Sequence, residues 1–207
     1  MLAVLTVDQR ASRSHGDEVP TLLKLLDEAL GTKSLTPPLR AFQRTVGDEV
    51  QSVVDDAETT VELIATILRA DGWYVGIGIG ETEQPLPDDA RAGRGAAYLR
   101  AREAVTRAKS SPHGIAVVGA DRYRAEHLET VLWLWAGILE RRTERGWQVF
   151  DALADGLSYD ETARRLGISQ SAVSQRAQAA GIVDERRART LARDVLAEIL
   201  TEGRANR

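Results

Sequence analysis

The chain has 207 residues, 43% of them hydrophobic, with 31 acidic against 27 basic side chains and a net charge of −4, so it has room for one ordinary domain plus a small one, and wholesale disorder is excluded. The absence of cysteine excludes disulfide scaffolds, thiol catalysis and cysteine zinc sites, and His15, His113 and His127 have no metal-ligand spacing. The acidic balance argues against indiscriminate coating of nucleic acid, but specific DNA binding needs only a local basic face.

Residues 1–10, MLAVLTVDQR, lack a basic start and reach Asp8 before a signal-like apolar run develops. The longest apolar run, residues 131–139 (VLWLWAGIL), falls far short of the ~20 residues that span a bilayer. The expectation is a cytoplasmic protein with no membrane partner.

In chain order, residues 2–7 read as a buried strand and 8–14 as polar loop. Residues 17–30 form a leucine-rich helix that Gly31 ends. Residues 39–54 (LRAFQRTVGDEVQSVV) predict two short strands around Gly47-Asp48-Glu49, with Phe42, Arg44 and Val46 alternating with Gln43 and Thr45. Residues 55–70 are an amphipathic helix closed by Asp71-Gly72. Residues 73–80 (WYVGIGIG) are a strand whose alternate positions are Gly76, Gly78 and Gly80, so that a helix, a backbone or a ligand approaches one face closely. A loop with Pro85 and Pro87, a helix over 93–109 and a strand over 114–118 complete the series. Strand, helix, hairpin, helix, strand, helix, strand is the order of an α/β (α+β) domain with a ferredoxin-like split βαβ sheet.

The segments VLTVDQRASR, FQRTVGDEVQSVV, WYVGIGIGE and GRGAAYLRAREAV carry a family likeness. Residues 1–121 resemble the SatD family and, more distantly, the palm domain of class III nucleotide cyclases and GGDEF-type diguanylate cyclases. The cyclase resemblance implies one metal-binding aspartate at the end of the first strand and another in the hairpin. Asp8 and Asp48 fall on those positions, with Glu49 beside the second. Two such carboxylates would hold Mg²⁺ against a nucleotide triphosphate. The first loop, with Arg10 and Arg13, and the following helix N-terminus would meet phosphate. Arg102 falls on the arginine that cyclases offer to the transition state, but Tyr98 stands where they have asparagine. The hairpin has one glycine and is not a full GGDEF. The plainer reading stays open: Asp8 caps a turn, residues 47–49 are simply a good hairpin turn, and the arginines, Arg100 included, solvate surfaces.

Residues 121–142 read as one long helix whose stripe of Leu128, Val131, Leu132, Leu134, Trp135, Ile138 and Leu139, widened by Trp133, is too broad for a solitary surface helix. It either closes the first domain or is buried against both that domain and a second subunit. Arg141, Arg142 and Arg145 at its end are placed near a DNA backbone.

Residues 143–155 supply the leading helix of a three-helix unit, with Trp147, Val149, Phe150 and Leu153 as core. Residues 158–181 (SYDETARRLGISQSAVSQRAQAAG) then look like a DNA-binding helix-turn-helix. Ala163 is small where the helices cross, Gly167 turns the chain with a left-handed backbone, and Ser169 caps the second helix, which Val173 plugs into a core with Leu157, Leu166 and Ile168. An ordinary helical hairpin is the plainer alternative. Gln170, Ser171, Ser174, Gln175 and Gln178 are left free to reach base edges, with Arg164, Arg165 and Arg176 for phosphate. A final helix over 184–200 covers the small core or pairs across a dimer, and no wing hairpin is visible. The unit resembles the sigma-factor region-four or LuxR-like trihelical type.

Three segments are expected: an α/β domain over 1–121, a connector over 122–142 and an all-α helix-turn-helix domain over 143–207. The leading functional expectation is a homodimeric transcriptional regulator that binds an operator in double-stranded DNA and senses a nucleotide or phosphate-bearing metabolite, with Mg²⁺ as cofactor. The alternatives are a Mg-dependent nucleotidyl cyclase-like enzyme fused to a DNA-binding unit, and an α/β domain that is a ligand-free dimerisation module.

Overall fold

A computed structural model describes residues 1–32 and 35–205, apart from the side chains of residues 13, 15 and 202–205. The elements are β1 (Leu2–Gln9), α1 (Ser12–His15), α2 (Val19–Thr32), β2 (Arg40–Arg44), β3 (Glu49–Val54), α3 (Ala57–Ala70), β4 (Trp73–Gly80), α4 (Ala96–Ala108), β5 (Ile115–Val118), α5 (Arg122–Glu140), α6 (Glu144–Ala154), α7 (Tyr159–Leu166), α8 (Gln170–Ala179) and α9 (Ile182–Ala205). Against expectation, the first polar loop holds the short helix α1, and α9 runs past the expected 184–200 at both ends.

The sheet order is β2-β3-β1-β4-β5, with every pairing antiparallel except β4 with β5. Strands β1 and β2 therefore run parallel with β3 between them, and β3 and β4 run parallel with β1 between them. This is the expected split βαβ arrangement, an α/β fold of the α+β kind, with β5 added in parallel at the free edge of β4.

Alternation along the strands divides the core into two layers. Ala3, Leu5 and Val7 of β1 and Val75, Ile77 and Ile79 of β4 are buried on one face, and Leu22, Leu26, Leu63, Ile64 and Ile67 of α2 and α3 are buried with them. The opposite face carries Gly76, Gly78 and Gly80, and the element that approaches them is α4. A Cβ at Gly76 would lie 2.2 Å from the Val105 backbone nitrogen, and one at Gly78 would lie 2.1 Å from that of Ala101. Strand and helix backbones meet here without side chains between them, so α4 is seated along β4 and runs antiparallel to it, parallel to β1.

Strand β5 is an edge whose open backbone groups are taken up by side chains. Trp133 Nε1 donates to Ile115 O at 2.8 Å, Arg107 Nη1 donates to Val117 O at 3.3 Å, and the buried Glu129 accepts from Val117 N at 2.7 Å. Arg107 also donates to both Glu129 oxygens at 3.0 and 3.1 Å, which neutralises that carboxylate.

The chain divides into two compact units, one of residues 1–133 with 191–207, the other of residues 134–190. The expected segments were 1–121, 122–142 and 143–207; helix α5 runs across the boundary between the two units, its first half closing β5, with Trp135 and Leu139 among the buried residues numbered in the second unit. The end of α9 returns to the first unit, where Leu200 O accepts from the Met1 ammonium at 3.1 Å and Arg193 pairs with Glu58 at 3.4 Å.

In the second unit Val149, Ala163, Val173, Ala177, Ala180 and Ile182 form the buried cluster, with Phe150, Leu153, Leu166 and Ile168 packed against it. Helix α7 opens with a capping box: Ser158 and Glu161 each bond the other's backbone N–H, at 3.3 and 2.8 Å. It closes at Gly167 with φ 64° and ψ 36°, the left-handed conformation expected there. Ser169 Oγ accepts from Ala172 N at 3.2 Å and caps α8, also as expected.

Candidate functional site

The α4-facing side of the sheet changes character along β1. At its start, Val4 and Val53 are buried with Tyr98, Ala97 and Ala101. One residue pair further, Gln51 Nε2 donates to Thr6 Oγ1 at 2.9 Å in a buried polar contact. At the strand's end Asp8 stands opposite Glu49, and Gln9 N donates to Asp48 O at 3.3 Å. The hairpin thus brings Asp8, Asp48 and Glu49 to one end of the sheet, as the sequence led one to expect. Thr45 Oγ1 donates to Glu49 Oε1 at 2.5 Å and holds that side chain back toward the turn.

What meets Asp8 is a residue that the sequence reading did not single out. Lys109, the C-cap of α4, places Nζ 2.6 Å from Asp8 Oδ2. The Asp8 side chain is only 14% exposed, so this ion pair is shielded on the carboxylate side. The hydrogen bond that Lys109 donates to Asp8 chiefly holds its ammonium above the usual lysine range; desolvation opposes it, and the charges of Asp8, Asp48 and Glu49 reinforce it. Residues 98, 102, 105 and 109 share one face of α4, so helical spacing was the signal that could have placed a cation over the carboxylates.

The other residues of the expected ligand site have separate fates. Arg10 donates to Trp73 O and His113 O, both at 3.0 Å, and its guanidinium lies 4.8 Å over the Tyr74 ring, so it ties loops together instead of standing free for phosphate. The Arg13 side chain lies outside the described residues. Arg100 donates to Ile79 O at 2.9 Å, and Arg102 is exposed on α4. Tyr98 does not border Asp8. Its ring is in the Val4 and Val53 cluster against Gly93, four β1 residues from Asp8 and so roughly 13 Å along the strand. Its hydroxyl is buried with no hydrogen-bond partner among the described residues, and burial raises its pKa.

Asp8 and Asp48 offer the hard oxygen donors that Mg²⁺ prefers. They do not fit the ion as they stand, because the Lys109 ammonium already sits on the Asp8 carboxylate at hydrogen-bond distance. Among the described residues no group of three or more acidic or histidine side chains is arranged around a metal position.

On the other face of the sheet, a cavity of about 470 Å³ opens between α2 and the end of α3, lined by Leu22, Leu25, Trp73 and Ala70 with Glu18 and Asp71. The sequence offered no signal for it, since its walls come from four elements.

In the second unit, α8 presents Gln170, Ser171, Ser174, Gln175 and Gln178 exposed, with Arg176 half-buried, while Val173 and Ala177 point into the core. Arg164 and Arg165 are exposed on α7, and Arg165 is paired with Asp155 at 2.7 Å. Arg142 is not on the surface as expected. Its side chain is buried, its guanidinium lies 4.4 and 4.6 Å over the Trp147 and Phe150 rings, and it bonds Ala180 O and the buried Glu185. Its aliphatic stem lies beside Gly146, where an added Cβ would come within 3.0 Å of Arg142 Cγ.

No family model, curated protein or solved structure matches the chain. Among the described residues no helix is long and apolar enough to cross a membrane.

Proposed function

We propose that the protein is a DNA-binding transcriptional regulator whose α7–α8 pair engages the major groove of an operator as a homodimer. The observation that carries this reading is the sorting of α8: apolar Val173 and Ala177 on one side, and an uninterrupted exposed face of Gln and Ser on the other. Glutamine can bond adenine in a bidentate manner and serine several bases, whereas a solvated helix of no further purpose has no need to exclude Lys and Glu from one whole face. Arg164 and the half-buried Arg176 flank that face and suit phosphate, while Arg165 is paired with Asp155.

The test is mobility shift with genomic fragments at moderate salt. Sequence-specific retention supports the reading, and its absence for the dimeric protein refutes it. Gln175→Ala should reduce discrimination at one base position by ~1–3 kcal/mol, whereas Arg164→Ala should weaken binding to all sequences about equally.

In this reading the α/β domain resembling the SatD family senses a nucleotide or phosphate-bearing metabolite, and a ligand shifts operator affinity only as far as it binds two conformers differently. Arg102 on α4 is the exposed cation available to such a ligand. The cyclase-like alternative would need Asp8 free for a metal ion and a transition-state donor at position 98. The Lys109 contact and the burial of Tyr98 speak against it.

A further inference from the structure

We infer that Lys109 is a resident counter-ion that holds the cation position beside Asp8, Asp48 and Glu49, so that this end of the sheet takes no divalent metal while the lysine is present. This rests on the α/β domain being a ligand domain, and it specifies what kind. A phosphate-bearing molecule entering here comes without Mg²⁺.

Three observations support it. The Nζ to Oδ2 distance of 2.6 Å leaves no room for an ion between lysine and carboxylate. The anchor is firm, because Lys109 ends a helix whose backbone rests directly on Gly76 and Gly78, and its own N–H is bonded to Arg107 O. A side chain held there also forms part of the favourable cation-at-helix-C-terminus arrangement. The third is placement: Asp8 stands opposite Glu49 in the ladder and Gln9 N bonds Asp48 O, so the neighbouring acidic residues lie at the same strand end as the ion pair. A tethered ammonium competes well against Mg²⁺, which gives up its water shell reluctantly and would have to displace the lysine into solvent. With the ammonium removed, the Asp8 carboxylate loses its counter-ion beside Asp48 and attracts a divalent ion.

The experiment is Mn²⁺ titration of the full chain, read by the electron paramagnetic resonance signal of the free ion at neutral pH and low ionic strength. The wild type should show no site tighter than about millimolar, and Lys109→Met should gain affinity roughly tenfold or more. Asp8→Asn in the Lys109→Met background should abolish the gain, and Lys109→Arg should behave as wild type. Wild-type binding that Asp8→Asn removes, or no gain in Lys109→Met, would overturn the inference. Lys109→Gln provides a second neutral variant if circular dichroism shows Lys109→Met to be misfolded, and the wild-type arm decides without any variant. No DNA enters the measurement, so its outcome is separate from that of the mobility shift.

Discussion

Arg142→Ala should destabilise the second unit more than alanine at any exposed arginine near the expected DNA-binding region. The side chain is fully buried and donates to Ala180 O at 3.0 and 2.8 Å and to Glu185 Oε2 at 2.5 Å. Its loss leaves a carboxylate that is 4% exposed facing a carbonyl that has lost two donors. Removing one partner of a buried pair costs about 3–5 kcal/mol. Arg189 stays 3.8 Å from Glu185 Oε1 and compensates part of the charge, so the lower half of that range, ~3 kcal/mol, is expected. Lost stacking on Trp147 and Phe150 adds a smaller term. Urea unfolding followed by far-ultraviolet circular dichroism and tryptophan fluorescence measures it. A change below ~1 kcal/mol would refute the reasoning, since exposed ion pairs contribute no more than that. The sharper check is Arg142→Met combined with Glu185→Leu. Arg142 Nη1 has no hydrogen-bond partner, so the pair is incompletely satisfied, and a purely apolar replacement should recover most of the loss.

Two further outcomes follow from backbone geometry and capping. Gly78→Ala puts a methyl group where the Ala101 nitrogen is 2.1 Å and the Ala97 carbonyl oxygen 2.3 Å away. Neither atom can rotate aside, so α4 must lift, costing about 3 kcal/mol and lowering the melting temperature by at least ~5 °C in a thermal scan; an unchanged melting temperature would mean α4 is not seated on β4. The Glu161 carboxyl is held below its ordinary value of 4.5 by its hydrogen bonds to Ser158. A depressed carboxyl contributes stability that is fully present above the unfolded pKa and lost as pH falls through the folded one. The stability gap between wild type and Glu161→Gln, from urea midpoints, should therefore be largest at neutral pH and shrink below about pH 4.5; a gap that widens in acid contradicts the sign.

Much of the fold was legible because local signals and tertiary demands agreed. The run WYVGIGIG reads as a strand with one bare face, and the bare face is where α4 lies. In residues 158–181 the cap, the left-handed glycine and the apolar plug each carry their own backbone signature, and each falls where expected. The division into units was not legible. Nothing in the period of α5 marks where one unit gives way to the next; Glu129 and Trp133 tie its first half to a strand edge that the sequence does not identify as an edge. Arg142 was misplaced for a related reason. An arginine at a helix end is usually solvated, and only the rings of Trp147 and Phe150, packed from the next helix, make burial favourable.

The candidate site shows the same limit for charge. Sequence reading counts arginines and lysines as cations on offer, but Arg10 is held by two carbonyls, Lys109 by Asp8, Arg165 by Asp155 and Arg142 by Glu185. What remains beside the α8 face is sparse: Arg164, and the half-buried Arg176. Each phosphate contact that is missing removes one increment of salt-dependent affinity, so a single copy of this unit would hold DNA weakly and with a shallow salt slope. Specific binding then depends on summing two copies, because the second half-site engages at the high effective concentration set by the first. On the proposed DNA-binding reading, this sparse charge would require a paired reader rather than a solitary one, with glutamine and serine base contacts carrying a larger share of the discrimination.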